Sequence, residues 1–170
     1  MNIETLTLYF TRYGAAAIFV IVLLEYMNMP GFPAGIIMPL SGVWAAKGNI
    51  HFINVMIITL AAGLLGSWIL YFLGRTGGNL LLEKYLNKFP KHREAIERNF
   101  EMIRQKGCFG IFLSKLIPMV RTLISIPAGV LKINFMKYTI SSALGVFVWN
   151  LIFVGAGYFL GDAVFTYLKI

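Results

Sequence analysis

Between Phe109 and Trp149 the chain is apolar enough to lie in lipid, yet it is interrupted by Lys115, Pro118, Arg121, Pro127 and Gly129. A cation in hydrocarbon is costly, and irregular backbone exposed to lipid leaves peptide groups without partners. Both are tolerated only where protein or a water-filled cavity surrounds them. The stretch is therefore limited to helices broken at a protected place. Near the N-terminus Glu25 stands in a similar break, followed by Pro30, Pro33, Gly35, Pro39 and Gly42.

The rest of the composition points the same way. Hydrophobic residues make up 58% of the 170 positions and charged residues only 13%, against roughly 25% charged in soluble domains. This is the composition of an integral membrane protein, and no polar stretch is long enough to fold separately, so one domain over 1–170 is expected. The net charge of +8 would suggest nucleic acid in a soluble protein. Here the cations flank apolar segments, where they set topology and meet anionic headgroups, and no nucleic-acid partner is expected. Cys108 is the only cysteine, while His51 and His92 fall in unrelated polar segments. An intramolecular disulfide is excluded, and no metal site and no cofactor are expected.

Taken in order, 1–13 suits a short interfacial helix, with Leu6, Tyr9, Phe10 and Tyr13 at helical spacing. Ala15 to Leu24 has the length of a signal-peptide core, but Glu4 precedes it and Glu25-Tyr26 stands where small cleavage-site residues belong, so it is read as retained. The apolar stretch 14–29 reaches only about 24 Å as a helix, short of a hydrocarbon core of roughly 30 Å. With the turn at 30–35 and a second short arm it reads as a re-entrant hairpin over 14–46. The segment 52–73 is free of charge and is the clearest spanning helix, with Ala62 and Gly66 as a weak small-residue pair. The segment 74–107 carries eight Lys or Arg against four Glu, which makes it cytoplasmic by the positive-inside rule. Leu82, Tyr85, Leu86 and Phe89, then Ile96, Phe100 and Ile103, recur at helical period on either side of Pro90. Two amphipathic helices along the membrane surface are expected.

A second hairpin over 108–133 and a second spanning helix over 135–160 repeat the first half. Pro30 and Pro39 precede Gly42 as Pro118 and Pro127 precede Gly129. One crossing between the hairpins inverts the second half. The expected fold is thus an all-α membrane protein of two inverted repeats, each a re-entrant helical hairpin plus a spanning helix, with amphipathic surface helices between them.

Arg121 offers a planar fork suited to phosphate, Lys115 a mobile point charge, and broken helix ends add N–H groups and positive dipole ends. Together they form an anion site by composition. Glu25 either neutralises a cation when the site is empty or takes up a proton. The bland alternative has the cations snorkelling to an interface with Glu25 as a simple partner. A lipid phosphatase would need a histidine pair, which lies elsewhere, and Ser114 and Ser125 have no base beside them in sequence; no enzyme is expected.

These residues resemble the DedA superfamily, also called SNARE-associated or VTT-domain proteins. The resemblance runs from about Ala16 to Asp162. It is carried by Glu25 with the run from Pro30 to Gly42, by Gly74-Arg75-x-Gly77-Gly78, by Lys115-x-x-Pro118-x-x-Arg121 with Pro127-Ala-Gly129, and by Phe135, Gly145 and Trp149. It implies two opposed re-entrant hairpins in a multi-pass protein of the bacterial cytoplasmic membrane. It also implies a flippase or scramblase that moves an anionic lipid such as undecaprenyl phosphate between leaflets. The family's membrane acid falls on Glu25 and its arginine pair on Lys115 and Arg121. Many members carry a second acid where this chain has Gly35, and arginine is usual where it has Lys115, so any proton coupling falls to Glu25. Phosphatidylethanolamine as cargo, with Glu25 on the ammonium and Arg121 on the phosphate, is the alternative, as is a structural protein supporting the envelope. The oligomeric state stays open, a homodimer included.

Overall fold

The computed structural model describes residues 3–28, 36–118 and 120–161. Pro30, Pro33 and Gly35 lie outside them. Among the described residues every regular element is a helix, as the sequence predicts. In order these are α1 (Ile3–Tyr26), α2 (Ile37–Trp44) followed by a π turn (Ala45–Asn49), and α3 (Phe52–Lys88). A 3-10 turn (Pro90–His92), α4 (Arg93–Lys115), α5 (Val120–Leu123), α6 (Ser125–Val130) and α7 (Phe135–Leu160) complete the chain. Two are long and apolar enough to cross a membrane, Phe52–Leu80 and Phe135–Leu160.

Among the described residues three helices are kinked at a glycine, where two helical segments meet. Gly14 in α1, Gly78 in α3 and Gly107 in α4 each take a positive φ, between 52° and 56°, a conformation that side chains other than glycine's rarely enter. The sequence reading ended the first spanning helix at Leu73. In the structure the apolar span continues to Leu80 and the helix to Lys88, with no proline in between. Its direction changes only at Gly78.

The chain divides into two compact units, Met1–Gly63 with Phe147–Ile170, and Leu64–Val146. In the first, α1 packs on α2, and α2 lies against the last part of α7. The approach is close. A Cβ at Gly42 would overlap the Val154 carbonyl and sit 2.8 Å from the Tyr158 nitrogen. Pro39 tolerates its place in α2 because it stands in the first turn, where an N–H has no helical partner.

In the second unit, α4 turns at Leu116–Pro118 and packs against α5 and α6. Here α6 lies against the later part of α3 in the same manner: a Cβ at Gly129 would overlap the Tyr71 carbonyl and sit 2.7 Å from the Arg75 nitrogen. The reciprocal approaches recur too, Gly157 on Pro39 in the first unit and Gly74 on Ile126 in the second. After α6 the chain closes in a Schellman turn, with Lys132 at φ 52° and the Ile133 N–H bonded to the Ala128 carbonyl at 3.1 Å. Asn134 then caps α7, its Oδ1 accepting from the Met136 and Lys137 nitrogens at 3.0 and 3.2 Å.

The apolar stripe of the amphipathic segment finds protein. Leu82, Leu86 and Ile96 are buried with Leu70, Leu123 and Ile126, and Ile103 joins Tyr71, Ile111, Ile124, Ala128 and Tyr138. The expectation that this face lies along the membrane surface is corrected on that account, since α5 and α6 already cover it.

Candidate functional site

The second unit holds a buried polar cluster built from four helices. Lys115 ends α4 with 1% of its surface exposed, and its stem lies on the bare face of α7 at Gly145, where a Cβ would overlap the Lys115 Cβ. Its Nζ donates to Ser67 Oγ on α3 at 2.8 Å and to Ser125 Oγ on α6 at 3.3 Å. From α7, the Tyr138 hydroxyl lies 2.8 Å from Ser125 Oγ and 3.1 Å from the Ser67 carbonyl oxygen. A buried ammonium needs such partners, because transfer out of water without them costs far more than the hydrogen bonds return.

Around this cluster the aromatic packing is tight. Tyr138 stacks on Tyr71 with ring centres 4.5 Å apart, the Tyr71 hydroxyl donates to the Ile133 carbonyl, and Arg75 Nη1 donates to the Tyr71 hydroxyl at 2.6 Å. Arg121, on the one-turn helix α5 between Pro118 and α6, is likewise 1% exposed and is close enough to Lys115 for the two charges to repel. The two cations that stood out in the sequence are thus buried together in one unit. Of the residues expected to shape this hairpin, Pro118 forms the exposed turn, while Pro127 and Gly129 lie buried in α6.

Glu25 is in the other unit. It is 3% exposed near the end of α1, followed by Tyr26, whose hydroxyl donates to Asn150 Oδ1 on α7 at 3.4 Å. Ser41 and Thr59 are also fully buried in that unit, each hydroxyl donating to a carbonyl of its own helix. Such back-bonding satisfies a hydroxyl locally. Pro39 and Gly42 are buried in α2.

Sequence reasoning missed Ser67, Tyr138, Tyr26 and Asn150, and it read Ser125 as lacking a base. In the structure Lys115 Nζ is 3.3 Å from Ser125 Oγ. As an ammonium, however, it donates to that oxygen and takes no proton from it. His92 lies in the 3-10 turn, its Nδ1 2.8 Å from the Tyr85 hydroxyl and its ring stacked on Phe89, where partial burial lowers its pKa. Among the described residues no three of His, Cys, Asp and Glu gather as metal ligands would.

Comparison with known proteins adds the following. Residues 32–159 match the family model of the VTT domain. The chain is 29% identical over 164 residues to undecaprenyl phosphate transporter A of Staphylococcus aureus, covering 94% of this chain and 80% of that protein. It is 30% identical over 156 residues to an alkaline phosphatase-like protein of Lactococcus lactis, covering 89% and 72%. To inner membrane protein YqjA of Escherichia coli it is 29% identical over 147 residues, covering 85% and 66%. No solved structure matches it.

Proposed function

The chain belongs to the VTT-domain, or DedA, family of membrane proteins, and from that premise we propose that it moves a lipid with a phosphate headgroup between the leaflets of the bacterial cytoplasmic membrane. The observation that carries this reading is the burial of Lys115 and Arg121 in one unit of an apolar helical protein. A folded chain holds two like charges out of water at considerable cost. A dianionic or monoanionic phosphate would relieve their repulsion. In this reading Arg121 holds the phosphate through its planar fork and Lys115 leaves its hydroxyl partners to add a point charge.

Undecaprenyl phosphate is the proposed cargo, supported by the name of the Staphylococcus relative. The arms of the second hairpin are short. The helical pieces 108–115 and 120–130 would reach only about 12 and 16 Å, which suits hairpins that enter and leave the membrane on one face. Glu25, as an acid in the first unit, is proposed as the group through which a proton gradient would act.

The test is leaflet-to-leaflet movement in proteoliposomes, comparing undecaprenyl phosphate with phosphatidylethanolamine, with and without a pH gradient. Arg121→Ala is expected to slow movement at least tenfold, as loss of a charge-assisted contact should, and Glu25→Gln to abolish dependence on the gradient. Equal rates in wild type, Arg121→Ala and empty liposomes would leave the structural role in its place. Release of inorganic phosphate from the lipid would instead favour a phosphatase, consistent with the Lactococcus relative's name.

A further inference from the structure

Tyr71 makes a contact outside the buried cluster. Its hydroxyl accepts from Arg75 Nη1 at 2.6 Å while donating to the Ile133 carbonyl, so a guanidinium is held near the end of the apolar part of α3, against the turn between α6 and α7. Arg75 itself is exposed. An arginine pinned through one amino group keeps the rest of its planar fork for an acceptor from outside. Lys132, in that same turn and also exposed, adds a second cation to the rim.

Beside Arg75, on the outer face of α3, runs a groove of about 360 Å³ lined by Leu65, Trp68, Ile69, Phe72, Leu73 and Thr76. All of these residues belong to the second unit. One edge of the groove is fixed by α7: the Trp68 indole donates to Thr139 Oγ1 at 3.2 Å, and the rings of Trp68 and Phe72 pack on Phe135 with centres 5.7 and 5.2 Å apart. Arg75 follows Phe72 by one turn and Trp68 by two, which sets it above that edge. From Leu65 to Thr76 the helix rises about 17 Å, roughly half of a hydrocarbon core of about 30 Å. A chain lying in the groove therefore belongs to one leaflet, with its head at Arg75.

We propose that Arg75 and this groove bind a lipid with a phosphate headgroup, the phosphate on the Arg75 fork and an apolar chain along Leu65 to Thr76. Charge selects the occupant. A cation at the head of an apolar groove is complementary to an anion that carries a chain, whereas a partner helix laid there would have to cover the guanidinium or leave it unpaired. The inference deepens the lipid-phosphate reading of the preceding section and rests on it for the occupant's role as cargo, held here outside the buried cations. Tyr71 stacks on Tyr138, whose hydroxyl bonds to Ser67 and Ser125, the two residues that hold Lys115. The outer and the buried cation thus stand at two ends of one network in a single unit.

The experiment uses Trp68 as the reporter. Trp44→Phe and Trp149→Phe leave it the only tryptophan, and the protein is placed in phosphatidylcholine vesicles containing a small fraction of brominated-chain phosphatidic acid, a phosphate monoester, or of brominated-chain phosphatidylcholine. Bromine quenches the indole on contact. Phosphatidic acid is expected to be preferred over phosphatidylcholine about tenfold, and Arg75→Gln to remove that preference, as loss of a charge-assisted contact should. Quenching by phosphatidylcholine should stay unchanged, which shows the groove intact. Arg75→Lys keeps the charge and is expected to keep part of the preference, while Lys84→Gln removes a charge from α3 beyond Gly78, away from the groove, and should keep all of it. Phosphatidic acid retained by the chain with all its tryptophans, weighed by native mass spectrometry, is the second readout and should fall about tenfold in Arg75→Gln. A preference that survives Arg75→Gln, that is absent from the wild type, or that falls as far in Lys84→Gln overturns the site, as does a loss found in Arg121→Ala alone. Binding is read here apart from transport. An Arg75-dependent preference in a protein that moves no lipid in proteoliposomes leaves the site standing and removes the transport reading, whereas transport without the preference removes the site alone.

Discussion

Ser125 shows how one hydroxyl serves two elements. It accepts from Lys115 of α4 and lies 2.8 Å from the Tyr138 hydroxyl of α7, so its loss leaves two buried groups short of a partner. Ser125→Ala is expected to lower stability by about 1–3 kcal/mol, read as a lower denaturation midpoint, and Tyr138→Phe to do the same through the same oxygen. In the double variant the effects should fall short of their sum, because the residues share one network. Additive losses would mean that the two hydroxyls act separately. At this scale the sequence was legible only in part. Lys115 and Arg121 announce themselves because charges are rare in apolar runs. Ser67 and Tyr138 do not, because a serine and a tyrosine are ordinary in membrane helices. What gives them meaning is contact with residues 48 and 13 positions away. Asn150 is an amide inside an otherwise apolar run, and its contact with the Tyr26 hydroxyl is visible only in three dimensions.

At the scale of elements, the short helices α2 and α6 are held by backbone-to-backbone approach to a long helix. Gly129→Ala and Gly42→Ala would each push a methyl group into a carbonyl, and neither carbonyl can yield without bending α3 or α7. Overpacking of this kind costs typically about 1–3 kcal/mol. Both variants should lower the thermal midpoint in detergent, whereas alanine at Gly155, with open space around it, should stay near wild type. A Gly129→Ala midpoint equal to that of Gly155→Ala would show that the approach is not tight in solution. The glycines and prolines marked these elements well in the sequence, since a glycine before or within a short apolar arm has few other uses in a membrane. The partners of the glycines were not legible, because a close approach depends on which helix arrives at the other side. The apolar face of the amphipathic segment was misplaced for the same reason: its periodicity specifies a buried stripe but not what buries it.

For the whole molecule, the recurrence of contacts bears on topology. Gly42 with Val154 and Tyr158 repeats as Gly129 with Tyr71 and Arg75, and Gly157 with Pro39 repeats as Gly74 with Ile126. The same shift that carries Tyr71 onto Val154 carries His51, just before α3, onto Asn134, just before α7. If the halves are inverted repeats, these two equivalent positions open on opposite faces of the membrane. If the second hairpin instead crosses as a single kinked segment, they open on the same face, because one crossing by α3 and one by 108–133 would return the chain. The positive-inside rule adds an expected absolute direction, with 74–107 on the cytoplasmic side. Single cysteines in a Cys108→Ser background decide between these arrangements: His51→Cys is expected to react with a membrane-impermeant maleimide from outside intact cells, and Lys91→Cys and Lys137→Cys only after the inner face is opened. Labelling of His51→Cys and Lys137→Cys from the same side would rule out the opposed hairpins. The lipid-phosphate reading would then have to do without a second hairpin that returns to the face it left.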